Sequence, residues 1–195
     1  MAKWIATFLL VLISGLGSIP AFAADVGMTP AMQALPFQTI GTYKSAAGED
    51  LHTFLLRIAP VLADFTHAHG WEACGTIGKA ADGTYGVVLG SNDAQIGCLA
   101  GEAGVPDGMT WTGETIHSHP ESSTLDMGPT DRAYAKATGT ADPYARQFYG
   151  SPKDFSSADF TGEAGYLVAD GRLLYQPGHR IPHGRFIGDV ALTGN

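Results

Sequence analysis

The chain contains no run of basic residues: its 11 Lys+Arg are scattered and outnumbered by 19 Asp+Glu, for a formal net charge of −8. A protein that grips nucleic acid through its phosphates needs clustered Lys and Arg, so that class is excluded, and an anionic membrane surface is an unsuitable partner for the same reason. Cysteine is scarce, with two in 195 residues, and no Cys-x-x-Cys pair supports disulfide exchange. No Gly-x-Ser-x-Gly elbow is present for serine hydrolysis, and no internal repeat or long low-complexity tract for an array. Past residue 16 there is no second long apolar run. The length suits one domain, and 45% apolar residues argue against a disordered chain. Glycine, at 26 residues, is about twice its usual share and points to many turns.

The one long apolar run is Trp4 to Leu16. It follows Lys3 and precedes Ala21-Phe22-Ala23, which places small residues at a cleavage site before Ala24. This is a secretory signal pattern over 1–23, too short for a spanning helix of roughly 20 residues. The expectation is therefore an exported, periplasmic or secreted protein with no membrane span after cleavage. An oxidising compartment makes a Cys74–Cys98 disulfide the expected state of the two cysteines.

Along the mature chain, 24–48 reads as an irregular arm. Leu51, Phe54, Leu55, Ile58, Leu62 and Phe65 recur at helical spacing up to Gly70, with Pro60 expected to kink or split the helix. Strands are expected over 71–79 and 84–89 around Asp82-Gly83, over 95–99, and over 109–119. A helix is expected near 130–138 and another capped by Ser156. A hairpin, 165–169 with 172–176, surrounds Asp170-Gly171, and 179–195 reads as a polar tail in which His183 is a surface residue. Helix, then a mainly antiparallel sheet, then helix and hairpin describe an α+β domain.

Ile116-His117-Ser118-His119-Pro120 is the sharpest local signal. Residues i and i+2 of a strand share a face, so the two imidazoles can converge on one ion. His67 and His69 have the same spacing but lie at a helix end, where i and i+2 diverge, and read as surface or dipole contacts. Glu72 places a carboxylate in an otherwise apolar strand, which is unusual unless the group is paired or working. Ser156-Ser157-Ala158-Asp159 supplies a third ligand type beside a hydroxyl. Two His, an Asp and a nearby Glu are the parts of a water-activating zinc peptidase. The aromatics Trp111, Tyr134, Tyr144, Phe148 and Tyr149 read as core or loop packing.

The order Glu72, then His117-Ser118-His119-Pro120, then Ser156-x-x-Asp159 resembles the motif of the JAB1/MPN/Mov34 (JAMM) metalloenzymes. Glu72-Ala73-Cys74-Gly75 is similar to the bacterial branch, and the long stretch before Phe155-Ser156 looks like JAB-like domains with an extended loop there. The resemblance spans about 50–178. It implies a curved, mainly antiparallel sheet flanked by helices, of the cytidine-deaminase-like kind. It also implies one Zn²⁺ held by His117, His119 and Asp159, with Glu72 as general base and acid and Ser156 steadying the oxyanion. Ser118 would turn away from the metal. The implied activity is cleavage of a peptide or isopeptide bond in a peptide or protein, a cell-wall stem peptide being one such substrate. The departure is in spacing: residues 120–155 separate His119 from Ser156, where the family has a much shorter link. Asp131, twelve residues after His119, lies nearer the family spacing but has Gly128 in place of the Ser, and stands as the alternative ligand. With Asp159 as ligand, 121–154 is an insertion forming a lid or substrate wall within a domain of 49–178. A non-catalytic metal-binding or protein-binding module on the same fold is the competing reading.

Overall fold

A computed structural model of the chain describes residues 28–178 and 184–191. The expected leader 1–23 and His183 lie outside the described residues. In chain order the elements are α1 (Pro30–Gln33), β1 (Gln38–Lys44), α2 (Leu51–His69), β2 (Cys74–Lys79), β3 (Tyr85–Ser91), β4 (Thr110–Ser118), β5 (Thr124–Asp126), α3 (Pro129–Thr138), β6 (Gln147–Tyr149), β7 (Ala164–Ala169), β8 (Arg172–Gln176) and β9 (Arg185–Asp189). Single 3₁₀ turns occupy Gly101–Gly104 and Asp159–Thr161.

Seven strands form one sheet in the order β1-β3-β2-β4-β7-β8-β9. All neighbours are antiparallel except β4 and β7. The architecture is α+β, as expected, with a mixed and mostly antiparallel sheet.

Helix α2 starts at Asp50, whose carboxylate accepts the Thr53 N–H at 3.2 Å, and stops at Gly70, whose φ of 69° suits a residue without a Cβ. Of the expected kink or split at Pro60, the split does not occur: one helix runs through it. Phe54, Leu55, Ile58, Ala59 and Leu62 are all buried against Ala73, Ile77, Val87, Leu89, Ile116, Tyr166, Val168 and Leu173. Burying each large side chain stabilises by about 1.5–3 kcal/mol, and several together outweigh the ~3 kcal/mol of an interior proline.

Strand alternation then decides the two faces. In β4, Ile116 and Ser118 face α2, and the Ser118 hydroxyl lies 2.6 Å from Thr66 Oγ1 and accepts the Ala73 N–H at 3.0 Å. His117 therefore points to the opposite face.

Several expected elements differ. The arm 24–48 is not wholly irregular: 30–33 is a short helix and 38–44 is an edge strand on β3. The tail includes β9, an edge strand on β8. Edge strands are half exposed, so their apolar alternation is weak. Segment 95–99 is not a strand, because its amides are satisfied by side chains: Gln95 N–H donates to Asp131 at 2.6 Å and Leu99 N–H to Asn92 at 2.6 Å. The insertion 121–154 is not simply loop. It folds into the two-stranded β5–β6 sheet and α3 around a small core of Leu125, Met127, Tyr134 and Ala135 with Ala94 and Ile96.

Candidate metal centre

Strand β4 ends at Ser118, and β2 and β7 flank it on either side. Cys74 is the cross-strand partner of His117 on one side and Leu167 on the other. Directly opposed residues share a face, so His117, Cys74 and Leu167 all lie on the face away from α2. His119 continues past the strand end, its N–H directed to Val168 O at 3.4 Å.

Asp159 reaches this face from the first 3₁₀ residue after the insertion. Ser156 and Asp159 cap each other: Ser156 N–H donates to Asp159 Oδ2 at 2.6 Å, and Asp159 N–H donates to Ser156 Oγ at 3.3 Å. The expected helix after Ser156 is only this turn, because Gly162 returns the chain to extended geometry and β7 begins at Ala164.

The three side chains converge. His117 Nε2 lies 3.2 Å from His119 Nε2 and 3.3 Å from Asp159 Oδ1, while His119 Nε2 lies 3.6 Å from Asp159 Oδ2. The offered ligand atoms of His117, His119 and Asp159 all fall within 4.8 Å of one another, the only such group among the described residues.

The electrostatics suit a cation at their centre. His119 Nδ1 is 2.7 Å from the Ser151 carbonyl, which only accepts, so Nδ1 carries the hydrogen and Nε2 presents a lone pair. Burial, and then the neighbouring His117, pull His119 down to about 4, so its ring is neutral at pH 7. Burial disfavours the Asp159 charge. The charge and hydrogen bond of His117 outweigh it, with His119 and Ser156 assisting, and hold the carboxyl well below the usual range. Two imidazole nitrogens and one carboxylate oxygen are the donor set that zinc favours over magnesium or calcium.

Glu72 sits just before β2, rather than inside a strand as expected. Its backbone is pinned on both sides: its N–H donates to Ala94 O at 2.8 Å and its carbonyl accepts from Ser91 Oγ at 2.7 Å. The side chain is 7% exposed and lines a cavity of about 370 Å³ together with His117, His119 and Asp159. Among the described residues nothing donates a hydrogen bond to its carboxylate. Burial, reinforced by the charges of Asp159 and Asp131, pushes that carboxyl well above the usual carboxylate range.

The alternative ligand is placed elsewhere. Asp131, 1% exposed, accepts from Gln95 N at 2.6 Å, Gln95 Nε2 at 3.0 Å and Gly128 N at 2.8 Å. Its oxygens are spent on the start of α3 and on the 92–101 segment, and it is not among the converging atoms. His67 and His69 are also apart, as expected: His67 pairs with exposed Glu121 at 2.9 Å and His69 stacks on Trp71. Cys74 and Cys98 form the expected disulfide, with Cα atoms 5.8 Å apart, and both line the cavity.

Two participants carried no signal in the sequence. The Ser151 carbonyl is a backbone group, which residue identity does not mark. Tyr134 reads, with the other aromatics, as core or loop packing, yet it lines the same cavity. No model of a known protein family, no curated protein and no solved structure matches the chain.

Proposed function

We propose that the protein is an exported zinc-dependent hydrolase of JAMM type, cleaving an amide bond in a peptide or protein. The observation that carries this reading is the convergence of His117, His119 and Asp159 within 4.8 Å, with the buried, unpaired carboxylate of Glu72 on the same cavity. A structural zinc site needs four protein ligands and no acid beside it, whereas three ligands plus a free carboxylate are the set of a hydrolytic site.

His117, His119 and Asp159 would hold the ion. Zinc, when bound, supplies a Lewis acid that brings a water pKa to about 7 and polarises a carbonyl. Glu72 takes one proton from the attacking water and delivers it to the leaving nitrogen, so the amide is replaced by a carboxylate and an amine. A carboxyl raised by burial suits this role, since it is a better base in water's absence and a competent acid afterwards. Ser156, fixed by its mutual cap with Asp159, would turn its O–H from the Asp159 carboxylate to the substrate oxygen.

Export is supported by the signal pattern at 1–23 together with the formed Cys74–Cys98 bridge. No helix among the described residues is long and apolar enough to cross a membrane. In such a compartment peptides, protein tails and cell-wall stem peptides are the available amides.

The test is hydrolysis of fluorogenic peptide pools and of muropeptides by zinc-loaded parent protein and Glu72→Gln. The expected result is loss of roughly 10²–10⁴-fold in rate with zinc content unchanged. Equal activity in Glu72→Gln would remove the general base. A zinc-loaded parent without activity on any of these substrates would favour a non-catalytic binding module.

A further inference from the structure

We infer that Tyr134 is a second catalytic hydrogen-bond donor of this site, its hydroxyl placed by the insertion to donate to the carbonyl oxygen of the amide being cleaved. The inference rests on the hydrolase reading above and adds to it a group from outside the motif.

Tyr134 lies on α3, in the second turn after Pro129, and is 5% exposed. Its ring packs in the small core with Leu125, Met127 and Ala135. The hydroxyl end lies against Gly97, where a Cβ would stand 2.5 Å from Oη, so glycine at 97 is what leaves room for it. Gly97 and Tyr134 both line the cavity that holds Glu72, His117, His119 and Asp159.

A buried tyrosine hydroxyl ordinarily finds a partner. Among the described residues this one has none, and the only fully enclosed side-chain polar atom without a partner is Arg172 Nε. The Tyr134 hydroxyl therefore opens on the cavity rather than being sealed in the protein. Burial, and after it the nearby carboxyls of Glu72 and Asp159, push the phenol above its ordinary value. The group stays protonated throughout the working range and serves as a donor only. It is not hydrogen-bonded to Glu72, and both residues line the same cavity. A neutral donor in a water-poor site is worth most where negative charge develops, which is the carbonyl oxygen during attack by water.

The role also explains why a folded insertion, rather than a loop, lies between His119 and Ser156. The insertion brings two groups to the site at fixed positions: the Ser151 carbonyl to His119 and the Tyr134 hydroxyl to the cavity.

The experiment is calorimetric binding of acetohydroxamic acid, whose N–O⁻ group would hold the zinc and whose carbonyl oxygen would be the acceptor. It is run on the zinc-loaded chain and on Tyr134→Phe, Gly97→Ala and Tyr149→Phe, with zinc content and melting temperature measured beside it. Tyr149 is 75% exposed and serves as the control. The expected result is affinity about tenfold weaker in Tyr134→Phe and in Gly97→Ala, whose new Cβ displaces the hydroxyl, and unchanged in Tyr149→Phe. Tyr134→Phe should keep the parent's zinc content and melting temperature, because its hydroxyl has no partner to lose, and its kcat should fall roughly 10²-fold. Parent-like affinity in Tyr134→Phe with zinc still bound would overturn this inference and leave the hydrolase reading intact. No measurable affinity in the zinc-loaded parent would overturn it as well, and a parent that holds no zinc would overturn both.

Discussion

Glu72 and Asp131 are both buried carboxylates on the same side of the sheet, and their surroundings give them opposite roles. Asp131 accepts three N–H donors, which fix α3 to the 92–101 segment. Glu72 accepts none, and burial among like charges favours its protonated form. Its folded-state pKa lies above the ordinary 4.5, so the metal-free folded protein binds more protons than the unfolded chain from that value upward. Stability therefore falls as pH rises through about 4.5 and beyond. The metal-free Glu72→Gln variant should melt at a higher temperature than the parent at pH 7, with the gap closing below about pH 4. Thermal scans across pH 4–8 check this, and a Gln variant less stable than the parent at pH 7 would show that Glu72 is satisfied in the folded state.

At the scale of elements, the site is a consequence of strand pairing. The register that sets Cys74 opposite His117 also brings the chain just before β2 to the metal face, where Glu72 sits. The Cys74–Cys98 bridge then ties the 92–101 wall of the cavity to β2. Cross-linking across 24 positions is worth about 3 kcal/mol in the chain-entropy account, or roughly 6–12 °C for a domain of this size. A Cys74→Ser, Cys98→Ser double variant should lose that much in calorimetry, and an unchanged melting temperature would show that the wall is held by its other bonds alone. Much of this level was legible beforehand. The period-two spacing of His117 and His119, the Asp-Gly turns and the helical repeat of α2 are local patterns that tertiary structure had no reason to override. Edge strands β1 and β9 were illegible because a strand exposed along one side needs little apolar alternation. Segment 95–99 misled because it is a short apolar run after a turn, like a strand, while Asp131 and Asn92 take the amides a ladder would use. The helix through Pro60 depended on the sheet beneath it, which no local window contains.

At the scale of the whole molecule, one face of the sheet is filled by α2 and the other by the candidate metal centre and the folded insertion. The candidate ligands come from two places far apart in sequence, and the insertion between them was legible only as polar, Gly/Pro-rich text. Its folded core depends on three-dimensional placement, whereas the complete Ser156-x-x-Asp159 already favoured Asp159 over Asp131, which lies nearer the family spacing but has Gly128 in place of the Ser. The central claim is that His117, His119 and Asp159 bind one zinc ion. Zinc content of the purified chain, measured by elemental mass spectrometry beside His119→Ala, Asp159→Asn and Asp131→Asn, tests it most directly. The account predicts about one zinc per chain, lost with His119→Ala and Asp159→Asn and retained with Asp131→Asn. A parent that takes up no zinc at neutral pH, or one whose zinc is lost with Asp131→Asn and kept with Asp159→Asn, would contradict it.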